Sequence, residues 1–478
     1  MKRGSLLLAC AAVLALLSGR LRAEDWPQFR GPNGSGVSAS RGLPAKFSYH
    51  DKVCWQALLG DGVSSPVVAG GRVFTTAMTG PRTFAVYGHD AATGKPLWKH
   101  EVDVGPLPRI TPPNSHASST PAADGRRVYV YFSTLGLLAL DAADGREVWR
   151  LPLRKPAYLM NWGAASSPVV FRDTVYFCMD DDLSAYLVAA DAATGKVRWQ
   201  VPRPDMLAGY SVPVFCEAGG RTDLVVAGTG KLKGYDPATG KERWTCNTLL
   251  RTVMTSPVVR DGVIYIAVQS YGDAKRTLKY ALLDWLDTNQ DGKLSRDEVP
   301  AEFLDKFDRS DKNHDGVLSG AELDTAFQHP SNMVGGGNTI QAVRGGGSGD
   351  VTKTHLLWNV TKPLPSNLSS PVVSGGRLFV VKAGGLSSCF DTATGKALWE
   401  RERIHNLGDY FASPVAADGK IYVAGRNGFV VVLADGPSLK VLADNDMGGE
   451  IIATPAIADG RLFIRTRDKL YCIGQKGH

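Results

Sequence analysis

Apolar residues in this chain gather in short runs closed by polar turns, as in Ser65-Pro66-Val67-Val68, then Gly70-Gly71, then Arg72-Val73-Phe74. Runs of this kind, bounded by Gly, Pro and Asp, predict β-strands joined by tight turns. Two signals recur. The first is Asp-x3-Gly-x3-Trp, at Asp90/Gly94/Trp98, Asp141/Gly145/Trp149, Asp191/Gly195/Trp199, Asp236/Gly240/Trp244 and Asp391/Gly395/Trp399. Its Asp can accept backbone N–H groups in a turn, its Gly can take a positive φ, and its Trp opens the next strand. Trp55 and Trp358 read as copies that kept the strand and lost the turn. The second signal is Ser/Thr-Pro or x-Pro ahead of an apolar strand, with proline at 66, 121, 168, 213, 257, 371, 414 and 455.

Eight prolines at near-regular spacing, with about four strands per unit, predict an all-β, eight-bladed propeller. Only the interval from Pro257 to Pro371 is long. Val53-Cys54-Trp55 has no strands of its own before it, and the segment from Pro455 to Gly474 has no tryptophan strand after it. The first can complete the blade begun by the last, which removes the free edges of an open ring. That closure brings Cys54 near Cys472, although buried free thiols are the preferred reading of the six cysteines after Cys10.

The long interval changes the picture. Asp287-x-Asn289-x-Asp291-Gly292-Lys293-Leu294-Ser295-x-x-Glu298 and Asp311-x-Asn313-x-Asp315-Gly316-Val317-Leu318-Ser319-x-x-Glu322 both match the twelve-residue EF-hand loop. Two Ca²⁺ ions are expected. Side-chain oxygens would come from Asp287, Asn289, Asp291 and Glu298 in one loop and Asp311, Asn313, Asp315 and Glu322 in the other, with backbone carbonyls from Lys293 and Val317. Leu278, Leu282, Trp285 and Leu286 have helical spacing before the first loop, as do Leu323, Ala326 and Phe327 after the second. Val299–Ser310 must then supply the one helix between them, and Leu294 and Leu318 should pair. Gly335-Gly336-Gly337 reads as a hinge, so the insertion is expected to fold on its own. The organisation expected is a signal peptide over 1–23, an N-terminal extension over 24–50, propeller over 51–273, the EF-hand pair over 274–338, and propeller with ring closure over 339–478.

Composition agrees. The 478 residues include 53 Gly and 27 Pro, with 44% hydrophobic and 21% charged, which suits a turn-rich β protein and not a disordered chain or helical bundle. Four of the 54 basic residues and none of the 47 acids fall in residues 1–23, so a cut after Ala23 lowers the net charge from +7 to +3. That balance gives no reason to expect nucleic acid as a partner. Lys2-Arg3 followed by the apolar run from Leu6 to Leu17 reads as a secretory signal, too short to span a bilayer as a helix. The chain is therefore expected to be exported, monomeric, and without a transmembrane segment.

The form Asp191-Ala-Ala-Thr194-Gly195-Lys196-Val-Arg-Trp199 resembles the pyrroloquinoline quinone (PQQ)-type repeat family of bacterial propellers, over roughly residues 50–475 apart from the insertion. Asp25-Trp26-Pro27-Gln28-Phe29-Arg30-Gly31-Pro32 is similar to the leader of its secreted members. The resemblance implies two kinds of activity. Quinoprotein dehydrogenases hold PQQ and Ca²⁺ on the ring axis, commonly beside a vicinal disulfide. This chain has no Cys-Cys pair and no recognisable acidic ligand set before the inner strands, so PQQ is possible but no motif supports it. Propeller lipoproteins of outer-membrane assembly bind partners through loops, and the lipid box they carry is missing here. The favoured expectation is a non-catalytic, calcium-binding scaffold for a protein or small-molecule ligand at a propeller face. The segments expected at the channel mouth are Arg109–His116, Asn161-Trp162-Gly163, Tyr210, Arg251-Thr252, Gln269–Tyr271 and Asp409-Tyr410; ordinary wet loops are the plainer reading of them.

Overall fold

A computed structural model describes residues 24–475 apart from 160, 251–252, 271–277, 329–336, 363–364, 367 and 406–407. The expected signal peptide, Arg251-Thr252, Tyr271 and the flanks of the insertion lie outside the described residues. Eight sheets of four antiparallel strands stand around one axis, and that of blade 4 gains a parallel fifth strand, Gly349–Asp350, beside Glu242–Cys246. Blade 1 comprises Val67–Ala69, Arg72–Gly80, Thr83–Asp90 and Pro96–Asp103. Blade 8 joins Ala456–Ala458, Arg461–Arg465 and Lys469–Ile473 to the N-terminal strand Val53–Leu58, with Trp55 opposite Cys472. The ring therefore closes as the sequence predicts. Cys54 and Cys472 are both free thiols, and burial raises the Cys472 pKa.

The repeated turn does more than reverse the chain. In the copy at Asp191 the carboxylate accepts N–H bonds from Ala193 (3.0 Å) and Thr194 (2.9 Å), and Gly195 has φ 72°. The face of Trp149, from the preceding blade, lies on that glycine, where a Cβ would come within 2.6 Å of the indole. The indole N–H of Trp149 then donates to the Ala192 carbonyl in the same turn (3.0 Å). Trp55, Trp98, Trp199 and Trp358 make the equivalent bond to Ala91, Ala142, Pro237 and Thr392 of the next blade, at 2.9–3.1 Å. Glycine is needed twice here, for the left-handed φ and for the close approach of the ring. Trp244 and Trp399 face blades 5 and 7, which lack this turn, and bond within their own blades instead, to Asp223 (2.8 Å) and Ser387 (3.4 Å).

Around the axis, the residue before each blade proline forms a second latch. The Ser65 N–H donates to Thr120 Oγ1, Thr120 to Ser167, Val212 to Ser256, Ser256 to Ser370, Ser370 to Ser413, Ser413 to Thr454, and Thr454 back to Ser65, all at 2.9–3.0 Å. Each donor is a backbone N–H and each acceptor a hydroxyl on the next blade. Only the joint from blade 3 to blade 4 breaks the series, because Val212 has no hydroxyl.

The N-terminal extension is a plug. Trp26 pairs with Val68 of blade 1 through bonds of 2.7 and 2.9 Å, and Val37 bridges Ala416 of blade 7. Between them the Pro27 carbonyl accepts from Ala123, the Gln28 side chain from Val170, and Asn33 exchanges two bonds with Phe215. These partners are the second residues after their blade prolines, so the segment occupies one level of the ring and satisfies innermost edges that would otherwise be open. Trp26 and Arg30 are fully buried, and Arg30 reaches the Pro371 carbonyl of blade 6. Burial pulls the Arg30 pKa down to about 9.

The insertion leaves blade 5 between its second strand, Val263–Ser270, and its third, Gly337–Arg344. Three short helices carry it: α1 (Lys279–Leu286), α2 (Leu304–Ser310) and α3 (Gly320–Thr325). The middle helix is shorter than expected, since Pro300 is extended (φ −55°, ψ 142°) and 3-10 turns fill the space before Leu304. α3 ends before Ala326, although Ala326 and Phe327 remain buried. Leu282, Leu286, Phe303, Phe307 and Leu323 form the core. That core runs on into Leu159 and Leu207 of ring loops, so the insertion is seated on the ring.

Candidate functional site

Three places bear chemistry: the two acidic loops, the axial cavity, and the seat of the insertion on the ring.

In the first loop Asp287 accepts N–H bonds from Asp291 (3.2 Å) and Gly292 (2.9 Å), Asn289 from Asp291 (2.8 Å), and Asp291 from Lys293 (2.9 Å). Glu298 reaches back to the amides of Thr288 (2.9 Å), Asn289 (3.3 Å) and Ser295 (2.9 Å). Burial opposes its ionisation, but the donors of Ser295, Asn289 and Thr288 outweigh burial and bring its pKa down to about 2. The second loop repeats the plan. Asp311 accepts from Gly316 (3.0 Å), Asn313 from Asp315 (3.0 Å), Asp315 from Val317 (2.8 Å), and Glu322 from Lys312 (2.8 Å) and Asn313 (3.2 Å). Gly292 and Gly316 turn the loops at φ 78° and 79°. Leu294 pairs with Leu318 across the short two-stranded contact, as their shared loop position predicts.

All ten expected ligand residues are thus brought onto two matching loops, but their carboxylates are turned to amides of the same loop. Among the described residues no group of three His, Cys, Asp or Glu is gathered as a metal site. One atom lacks a partner: Asp311 Oδ1 is buried and accepts nothing. Hard oxygen donors, glycine-permitted turns and that orphan acceptor fit a Ca²⁺ ion.

The axial cavity, about 310 Å³, is lined by the hydroxyl ring together with Phe29 of the plug, Asn114, Trp162, Tyr210, Met254 and Phe411. Tyr210 stacks on Tyr158 at 5.2 Å and meets Trp162 at 6.2 Å. Among the expected mouth residues, Arg109, His116, Asn161 and Gly163 line a smaller recess of about 70 Å³ beside it. Burial lowers the His116 pKa. Asp409 belongs instead to a separate cleft with Arg426 and Glu450, and Gln269 is paired with Asn338 inside blade 5. The described wall of the main cavity carries no Asp, Glu, His, Lys or Arg. PQQ is a polyanion whose carboxylates need cations or a bound metal to balance them. These residues do not fit it.

At the seat of the insertion, three consecutive acids of blade 3 take separate partners. Asp180 pairs with buried Arg203 (2.7 and 2.8 Å), and Asp181 with Arg154 (2.8 Å). Asp182 accepts the Leu159 N–H (2.9 Å) and faces Lys306 of α2. Burial dominates its titration: its pKa is pushed up to about 7 despite donors at Leu159 and Ala208 and the Lys306 charge. Burial likewise lowers Lys306. Sequence reading missed this trio, although three adjacent Asp residues after a strand were a visible signal.

Residues 50–182, 183–290 and 309–409 match the family described as outer membrane protein assembly factor BamB. The chain belongs to this family. It is 24% identical to the outer membrane protein assembly factor BamB of Yersinia pestis, over 79% of this chain and 87% of the relative. It is equally 24% identical to a polyvinylalcohol dehydrogenase of a Pseudomonas species, over 77% of this chain and 66% of that enzyme. Among solved structures, BamB from Moraxella catarrhalis is similar with TM-score 0.54 and 15% identity, over 89% of this chain and 99% of that one. A quinohemoprotein alcohol dehydrogenase from Comamonas testosteroni reaches TM-score 0.52 at 14% identity, over 95% of this chain and 81% of that one. At these identities the structures speak for the fold alone. Among the described residues, no helix is long and apolar enough to cross a membrane.

Proposed function

We propose that this protein is an exported, calcium-binding propeller that acts as a non-catalytic interaction scaffold, working alone or alongside envelope assembly. The observation that carries this reading is the described wall of the axial cavity, which holds no charged side chain to balance the carboxylates of a quinone cofactor. Hydroxyls already accepting backbone N–H bonds line it, and the plug takes up one level of the ring. Membership in the BamB family supports a binding role, since the matched outer-membrane assembly factor is covered over most of its length. Two Ca²⁺ ions would be held by Asp287, Asn289, Asp291, the Lys293 carbonyl and Glu298, and by Asp311, Asn313, Asp315, the Val317 carbonyl and Glu322. Their role would be structural, because extracellular calcium can fill even a weak site of about 10⁻⁴–10⁻³ M.

The test has two arms on one purified sample. Calorimetric titration with Ca²⁺ should give two bound ions, lost in Glu298→Gln with Glu322→Gln. Reconstitution with PQQ and Ca²⁺ should give no dye reduction with alcohols, including polyvinyl alcohol. Alcohol-dependent turnover abolished by Trp162→Ala would replace the scaffold with a quinoprotein dehydrogenase of divergent site.

A further inference from the structure

The insertion does not lie flush on the ring. Between them runs a cleft of about 740 Å³, within the range of about 300–1,000 Å³ usual for ligand sites. Its ring wall includes Pro202, Pro204, Met206 and Leu207, and Phe327 faces them from beyond α3. The loop that carries Met206 and Leu207 is held in place by the buried Arg203–Asp180 pair and by the Leu207 N–H on Thr229 Oγ1 (2.9 Å). One wall is thus apolar and fixed.

The opposite wall is basic. Lys306 and Arg309 of α2 and Lys312 just after it line the cleft. Arg309 donates to the Asp305 carbonyl (3.0 Å) and Lys312 to the Arg309 carbonyl (2.6 Å). Neither has an acid within ion-pair distance among the described residues, and the two acids that act on Lys306, Asp182 and Asp181, are both buried on the ring side. The acid on the ring side, Asp205, is already bridged by Lys231 (2.7 Å) and Lys233 (2.8 Å). Gln328 contributes a buried Oε1 that accepts no hydrogen bond. A buried carbonyl oxygen left without a donor costs stability until an N–H arrives.

Unbalanced cations opposite an apolar wall, with an amide acceptor waiting between them, call for a ligand that brings three things together. It needs carboxylates, apolar side chains and N–H donors. A free phosphate offers only charge and a lipid chain offers no N–H; an acidic peptide offers all three. We propose that the cleft between the insertion and blades 3 and 4 is a docking site for an acidic, apolar-rich peptide segment of a partner protein. Carboxylates would meet Arg309 and Lys312, apolar side chains would meet Pro204 and Phe327, and a backbone N–H would satisfy Gln328. This rests on the scaffold reading and supplies it with a surface and a class of partner.

The probe is a pool of fluorescent decapeptides alternating Glu with Leu or Phe, titrated against the full chain in excess calcium and followed by anisotropy. Peptides with Lys in place of Glu, and unlabelled inorganic phosphate, serve as competitors. Saturable binding is expected, weakened at least tenfold by Arg309→Glu and, from the other wall, by Pro204→Glu. The surface pair Lys95→Ala with Lys196→Ala, on the outer turns, should leave affinity unchanged. Circular dichroism checks that each variant is folded. No binding by folded protein overturns the proposal, as do equal losses in the control pair or full displacement by inorganic phosphate. Such a failure with dye reduction still absent and two calcium ions still bound would remove the cleft and leave the scaffold reading standing.

Discussion

The joints between blades and the joint between ring and insertion solve the same problem differently. Between blades the contact is an indole face on a glycine, one N–H bond to a turn carbonyl, and a hydroxyl accepting the neighbour's amide. These repeated contacts use no charge; ion pairs such as Arg377 to Asp435 between blades 6 and 7 (2.7 Å) are added at single joints. Where the insertion meets the ring, buried Asp182 faces half-buried Lys306 beside the Leu159 and Leu207 contacts. A joint repeated around a ring can be made from one short motif whose every group finds a neutral partner. A joint made once, between loops of unrelated origin, carries titratable groups and leaves a cleft. The blade joints should be insensitive to pH and calcium, and the insertion joint sensitive to both.

The largest effect should come from the blade joint. Trp149→Ala should destabilise by about 3–5 kcal/mol, the range for truncating a buried aromatic, measured by chemical denaturation. A loss under about 1 kcal/mol would show that the indole latch is not what holds neighbouring blades together.

Next comes Asp182. Its folded pKa of about 7 lies above the ordinary 3.8, so between those values the folded state holds more protons than the unfolded one. Stability should therefore fall as pH rises through about 4 to 7 and level off above, by up to a few kcal/mol. Asp182→Asn keeps an acceptor for the Leu159 N–H and should flatten that decline. If the slope in melting temperature is the same in both proteins, Asp182 is not the group responsible.

A smaller effect separates two glycines. Gly195→Ala meets both a left-handed φ and the Trp149 ring, whereas Gly419→Ala has φ 67° and nothing within 4 Å. The first should cost about 2–3 kcal/mol or more and the second about 1–2, the left-handed penalty alone. Equal costs would mean that only backbone conformation matters at the repeated turn.

The smallest effect is that of calcium. At ten times Kd each ion adds about 1.4 kcal/mol. Since the insertion's core includes Leu159 and Leu207, chelation should raise amide exchange in residues 278–328 and also around 157–159 and 205–208, with blades 6 to 8 unchanged. Exchange confined to the insertion would restore the picture of a separate module, and cooperative melting of the whole ring would mean that calcium supports the blades themselves.

Much of this was written locally. The turn Asp, the Gly and the Trp recur because one hairpin must do the same work in each blade, so spacing alone yields blade number, strand order and the closure by Val53–Leu58. The acidic loops are equally legible, because their pattern depends on twelve adjacent residues. What the sequence could not place were groups whose partners lie on several blades at once. Trp26 to Val37 reads as an extension, and only the closed ring makes it a plug, since its bonds go to five different blades at one level. The Ser and Thr before the prolines were visible as lead-ins, but their role as a circular latch exists only when blade 8 stands beside blade 1. Trp244 and Trp399 share the sequence signature of the other tryptophans yet bond within their own blades, because the blades they face lack the Asp-x3-Gly-x3-Trp turn that receives the others. The seat of the insertion was likewise decided in three dimensions, by loops of blades 3 and 4 far from it in sequence. Short-range pattern determined the units; long-range burial and hydrogen bonding determined how they lock.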